Sequence, residues 1–286
     1  MQSKLGYLNL GCGSRFHPNW TNIDIVSTGP GVIAHDLMHG IPMPDNACEV
    51  VYHSSLLEHL RPNDALPFLQ ECHRVLKSKG ILRVATPDLE CICRVYLEKL
   101  TAALDGDIPN SHDYNWIMLE MYDQTVREHR GGEMLAYLRQ DSIPNEAFVY
   151  SRIGEDGQQI VKALKQPMRH ALVADHSLRR WADLLKKLMQ RTYAVYERMV
   201  AHILLRRDTS KALDIGRFRL SGEVHRWMYD RYSLRRLLVA AGFCDINVQT
   251  ATLSRIPDWT SFCLDTTPDG RVNKPDSLFM EGIKIT

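Results

Sequence analysis

The first hundred residues alternate short β-type runs with helical ones, and this alternation commits the chain to an α/β fold built on a mostly parallel sheet. Strands are predicted at Leu5–Leu10, Thr21–Ile25, Val32–Ala34, Glu49–Ser54 and Ile81–Thr86. Between the last two, Leu66, Leu69, Cys72, His73 and Leu76 recur at helical spacing, with Asp64 placed to cap the helix and Lys79-Gly80 to close it. From about Glu90 to Leu220 the β signal vanishes and the pattern turns helical, broken at Gly131-Gly132, Pro144 and Gly154 to Gly157. Within that stretch Leu178 to Arg206 carries one apolar stripe flanked by Arg and Lys. The α/β pattern then resumes with a helix Ser233–Ala241 stopped by Gly242, a strand Asp245–Thr250 and a last strand Ser277–Ile285. The chain therefore divides into a Rossmann-like core, residues 1–96 and 221–286, and a large helical insertion, residues 97–220, expected to act as a lid over a substrate.

Chemistry-bearing residues gather at the predicted carboxyl ends of the strands, where open α/β sheets bind ligands. The first strand runs into Gly11-Cys12-Gly13-Ser14, a turn whose glycines let backbone approach a ligand closely. Asp24 ends the second strand, where a carboxylate can accept hydrogen bonds from both hydroxyls of a ribose, and Asp36 follows the third. In this order the groups point to a nucleoside cofactor. A dinucleotide is disfavoured, because the third glycine of G-x-G-x-x-G is replaced by Phe16.

Several segments carry a family resemblance. Leu8-Asn9-Leu10-Gly11-Cys12-Gly13, the run Ile41 to Tyr52, Leu57-Glu58-His59-Leu60, and Glu71-Cys72-His73-Arg74-Val75-Leu76-Lys77 with Gly80 resemble the type-11 group of class I S-adenosylmethionine-dependent methyltransferases. Asn19 to Ile25, Thr86 to Glu90 and Asp276 to Gly282 resemble a branch linked to bacterial glycan and secondary-metabolite biosynthesis. The resemblance implies S-adenosylmethionine as cofactor and an antiparallel seventh strand inserted beside the fifth. It implies that Gly11, Cys12, Gly13 and Ser14 pass under the methionine part, that Asp24 holds the ribose, that Asp36 and Leu37 flank the adenine, and that Asn9 and Ile25 also belong to the cofactor site. Ser54 and Ser55 would line the methyl region. Two departures stand out: Asn9 replaces an acidic residue of the first strand, and the link to the second strand is unusually short.

Methyl transfer from a sulfonium needs alignment of a nucleophile, and a general base helps when the acceptor is a hydroxyl. The candidates for such a catalytic role are His59, Asp88 and His225. His59 also fits a packing residue, and Asp88 also fits a helix cap. Trp116, Tyr122 and Tyr137 could stack on a sugar ring or belong to a helical core, and Gly131-Gly132 suggests a substrate-facing turn. The expected activity is transfer of a methyl group to a hydroxyl or amine of a small molecule or glycan. The alternatives are an RNA methyltransferase and a catalytically inactive cofactor-binding regulatory subunit.

Bulk properties narrow the setting. A net charge of +1 exerts no global pull on nucleic acid, but residues 165–226 hold 14 Lys/Arg against 6 Asp/Glu, which fits a basic solvated helix and also suits an anionic partner. Seven scattered cysteines form neither a zinc pattern nor a disulfide framework, so no metal is expected and a cytoplasmic setting fits. No apolar run is long enough to span a membrane.

Overall fold

A computed structural model describes residues 6–165 and 207–285. The amphipathic stripe Leu178 to Arg206 lies outside the described residues. Seven strands form one sheet in the order β3-β2-β1-β4-β5-β7-β6. They are β1 (Tyr7–Leu10), β2 (Thr21–Asp24), β3 (Val32–Ala34), β4 (Cys48–Ser54), β5 (Leu76–Pro87), β6 (Cys244–Gln249) and β7 (Ser277–Ile283). The pairs β1–β2, β1–β4, β2–β3 and β4–β5 are parallel, whereas β7 runs antiparallel to both β5 and β6. The fold is thus the expected Rossmann-like α/β sheet with its seventh strand beside the fifth.

The two faces of the sheet are covered by different means. Helices α1 (Pro62–Val75) and α7 (Arg231–Ala240) bury Phe68, Leu69, Cys72, Leu234 and Leu238 against Leu8, Leu10, Val51, Leu82 and Val84 on one face. On the other, the links 11–20 and 25–31 join parallel neighbours without a helix, although parallel strands ordinarily need a crossover of a dozen or more residues. The area a crossover helix would occupy is filled by rings: Trp20 packs edge-on against Tyr7, Tyr52, Trp259 and Phe262, with centroids 5.1 to 6.3 Å apart. Trp259 and Phe262 come from the irregular segment between β6 and β7, which serves as the third layer.

That segment is held by Arg83, fully buried on β5. Its Nε and Nη2 donate to Asp265 at 2.9 and 2.7 Å, its Nη1 to Glu281 at 2.9 Å and to the Leu253 carbonyl at 3.1 Å, and its Nη2 to the Thr250 carbonyl at 2.7 Å. All five guanidinium N–H groups are satisfied, which is the condition for burying that charge. The Trp259 ring covers the guanidinium at 4.4 Å, and Tyr52 donates to the second oxygen of Asp265 at 2.6 Å.

The insertion is helical where described: α2 (Leu89–Leu104), α3 (Ile108–Val126), α4 (Gly132–Leu138), α5 (Glu146–Lys165) and α6 (Arg207–Arg219). The boundary expected between residues 96 and 97 falls inside α2, which Asp88 caps through the Cys91 N–H at 3.2 Å. The insertion has its own core of Trp116, Leu138, Ile143, Val149 and Val161. Trp116 donates to Glu120 at 2.5 Å and Tyr137 packs against it, so both are core aromatics rather than ligand platforms. Tyr122 is exposed.

One boundary needs correction. The expected stop at Lys79-Gly80 lies inside β5: α1 ends at Val75, and Leu76 pairs directly with Cys48. Lys79 adopts φ 65°, and a Cβ on Gly80 would lie 2.8 Å from the Lys77 carbonyl. The glycine therefore serves a tight irregularity in the strand, not a helix end.

Two outcomes follow. Replacing Arg83 by Met removes the cation shared by buried Asp265 and Glu281 and leaves only Arg255 paired with Glu281, so denaturant unfolding should show a loss of about 3–5 kcal/mol, and a loss under 1 would contradict this account. His53, fully buried on β4 with neither ring nitrogen partnered, is pushed down to about 3 by burial. It stays neutral in the fold, while the unfolded chain gains a proton near pH 6.5. Its contribution is therefore lost as pH falls from about 6.5 toward 3, by up to about 1.4 kcal/mol per pH unit, and His53→Leu should flatten the acid limb of a stability profile.

Candidate functional site

The glycine turn opens from the end of β1, near the centre of the sheet. Gly11 and Gly13 adopt φ 61° and 53°, a region that glycine enters at no cost. A Cβ on Gly11 would press against Leu56 at 3.0 Å, while nothing lies within 4 Å of one built on Gly13, so that backbone faces open space. The Gly13 N–H donates to Asp24 at 2.8 Å, and Thr28 donates to the Gly13 carbonyl. The turn and the carboxylate closing β2 thus form one unit. Asn9, buried beneath it, donates to the Arg15 carbonyl at 3.1 Å and to Asn22 at 3.2 Å, and so braces the turn from inside the sheet.

A cavity of about 530 Å³ opens above the turn. Its walls include Asn9, Gly11, Cys12, Gly13, Ser14, Ser54 and Ser55, together with Tyr52, Asp265 and Lys274. Asp24, Ile25, Asp36 and Leu37 sit outside it, at the carboxyl ends of β2 and β3. Ile25 is exposed there, whereas Leu37 leans into the helical-face core. Asp36 caps a short 3-10 turn by accepting the Met38 N–H at 2.9 Å. The Cys12 thiol is pushed up to about 11 by burial and by Asp24, which removes it as a nucleophile near neutrality.

The far wall comes from the insertion. Helix α5 kinks at Gly154, whose φ of 58° and ψ of −155° leave the helical region. A Cβ there would meet Pro275 at 2.3 Å and the Asn273 carbonyl at 2.6 Å. The kink lets the N–H groups of Glu155 and Asp156 donate to the carbonyls of Val272 and Asn273 at 3.3 and 3.2 Å. Past it, Asp156 pairs with Arg15 of the glycine turn, and Gln159, Ile160 and Ala163 line the cavity.

A second cleft of about 380 Å³ continues from the first, sharing Ser55, Asp156, Ile160 and Lys274. Lys274 bridges the two by donating to Ser55 at 2.6 Å. Here the structure brings His59 and His225 together with centroids 4.7 Å apart and rings nearly perpendicular. Backbone contacts enforce the meeting: the Glu58 carbonyl accepts from Arg226 N–H at 2.7 Å and Trp227 N–H at 3.2 Å, and His225 N–H donates to the Gln124 carbonyl at 2.9 Å. Burial lowers both imidazoles, His225 to about 3, and raises Glu58 to about 7. The Gly131 turn borders this cleft, as do Arg127, Glu223 and Asp276. Asp88 lines neither cavity; its carboxylate is occupied by the α2 cap.

Sequence reading missed Glu58, Arg15, Asp156, Asp265 and Lys274. Glu58 stands out in the sequence only as part of the motif Leu57-Glu58-His59-Leu60, and the others reach the site from loops and from the insertion, for which spacing offers no cue.

Residues 18–84 match the methyltransferase domain family. No curated protein matches the chain. Among solved structures it is similar to a SAM-dependent methyltransferase from Archaeoglobus fulgidus at 11% identity and TM-score 0.38, over 97% of this chain and 85% of that one. It is similar also to the Burkholderia thailandensis 1,6-didemethyltoxoflavin-N1-methyltransferase with bound S-adenosylhomocysteine, at 14% identity and TM-score 0.25. That likeness covers 29% of this chain and 44% of the other. A SAM-dependent methyltransferase from Aquifex aeolicus is 20% identical at TM-score 0.25, over 30% of this chain and 58% of that one.

The kink at Gly154 seats the far wall of the cavity. Gly154→Ala should cost about 1–3 kcal/mol through φ strain alone and raise hydrogen exchange selectively in residues 146–165. Uniform exchange across the insertion and the core would refute the assignment.

Proposed function

We propose that the protein is an S-adenosylmethionine-dependent methyltransferase acting on a polar small molecule or glycan, with the cofactor over the glycine turn and the acceptor in the adjoining cleft. The observation that carries this reading is the unit made by Gly11–Ser14 and Asp24, opening onto a cavity that runs continuously into a second, charged one. The methyltransferase domain match over residues 18–84 includes Asp24, Asp36, Ser54 and His59.

The residues present fit the cofactor. The open space over Gly13 accommodates a methionine chain, and Asn9, Ser54 and Ser55 supply polar groups at that end. Asp24 uses one oxygen on Gly13 and keeps acceptor capacity for ribose hydroxyls. Exposed Ile25 and Met38 offer an apolar shelf for the adenine beside Asp36. When bound, the cofactor supplies an electrophilic methyl group. The chain's own part is alignment and exclusion of water, which such reactions mainly require. Helix α5 walls both cavities and so acts as the lid. Lys274 and Arg127 suit an acceptor bearing an anionic group, and the cluster around His59 and His225 is where an acceptor hydroxyl would be activated.

Calorimetric titration with S-adenosylhomocysteine should show one-to-one binding, and Asp24→Ala should weaken it at least tenfold, equivalent to about 1.4 kcal/mol. Absence of binding by folded wild type would sink the proposal. Binding without methyl transfer to any hydroxylated or amino acceptor would favour a regulatory, non-catalytic role.

A further inference from the structure

Four buried polar atoms of residues lining the second cleft have no hydrogen-bond partner among the described residues: Arg127 Nε, which can only donate, and Glu58 Oε1, His59 Nδ1 and His225 Nδ1, which can offer lone pairs. Buried polar groups are nearly always satisfied, so the three lone-pair orphans in one place call for a shared partner. Glu58 is fully buried and His225 is 7% exposed. One donor atom from each of the three residues lies within 4.8 Å of the others. An equilateral triangle of that edge has its centre about 2.8 Å from each corner, so small side-chain rotations bring all three to the 2.0–2.2 Å of metal bonds.

We propose that Glu58, His59 and His225 form a three-ligand site for a divalent transition cation of the Zn(II) type, with its remaining coordination positions open to the acceptor cleft. Two imidazoles and one carboxylate are a donor set suited to Zn(II), Fe(II), Mn(II) or Co(II) and poorly suited to Mg(II) or Ca(II). Supporting groups hold the ligands as metal sites require. Thr86 Oγ1 donates to the other Glu58 oxygen at 3.1 Å, leaving Oε1 free to bind. The carbonyls of Val224 and Gly222 lie beside the His59 ring, and His225 is pinned by its N–H to the Gln124 carbonyl. Of the cations nearby, Arg127 pairs with Asp123 at 2.7 Å, and Lys274 shares the cleft with Glu223 and Asp276. The site stands on this geometry alone. Only its consequence, that the cation would hold and polarise an acceptor oxygen, rests on the methyltransferase reading.

Chelator-stripped wild-type protein titrated with ZnCl2 by calorimetry should take up one equivalent, and CoCl2 in its place should give the intense visible bands of a low-coordinate Co(II) ion. His225→Gln, His59→Gln and Glu58→Gln should each weaken Zn(II) uptake at least tenfold, while His39→Gln, at an exposed position, should not. S-adenosylhomocysteine titration of the same samples reports the cofactor site separately, so Zn(II) uptake without cofactor binding would keep this site and remove the methyltransferase reading. No stoichiometric uptake by wild type, or uptake unchanged in both histidine variants, overturns the proposal. Should the variants fail to fold, a wild-type Co(II) spectrum as weak as that of the hydrated ion overturns it equally.

Discussion

The arrangement of both cavities depends on one buried cation. Arg83 draws Asp265, Glu281 and two backbone carbonyls to a single guanidinium, and in doing so presses the irregular segment before β7 onto the sheet. A charge in such a place is tolerable only when every N–H has a partner, so the segment has little freedom to lie elsewhere. Its rings then cover the face that short strand links leave without helices. Its later residues, Val272 and Asn273, supply the carbonyls on which α5 docks.

The helical insertion is consequently positioned by the core rather than merely tethered to it. Gly154 permits backbone-to-backbone approach that any side chain would block, and Arg15 reaches from the glycine turn to Asp156 just beyond. The space over β1 thereby gains a wall that the sheet cannot furnish. Lys274, the residue directly after the docking carbonyls of Val272 and Asn273, stands between the two cavities and touches Ser55. The two cavities meet at residues that also decide where the insertion sits.

Much of this was legible in the residues. The strands ending at Leu10, Asp24, Ala34 and Ser54 match expectation within a residue or so, because short β-type runs bounded by turn residues leave few other options. Asp88 resolves as a helix cap, since its carboxylate reaches the Cys91 N–H as an N-cap geometry demands. The end of α1 departs from the sequence pattern because Lys79-Gly80 resembles a helix stop, whereas Leu76 finds a strand partner in Cys48 and tertiary pairing overrides the local signal. Trp116 and Tyr137 could equally have been ligand platforms or core, and burial decides for core.

By itself the sequence determined the class of sheet, the glycine turn, and the carboxylates at the strand ends, because each depends on local periodicity or on a residue type that backbone geometry demands at one position. Only the tertiary structure decided that His59 and His225 meet, that Glu58 joins them, and that Arg83, Lys274 and Asp156 serve the cavities. Those encounters join segments far apart along the chain through buried charge and backbone hydrogen bonds, which leave no periodic trace in the order of residues.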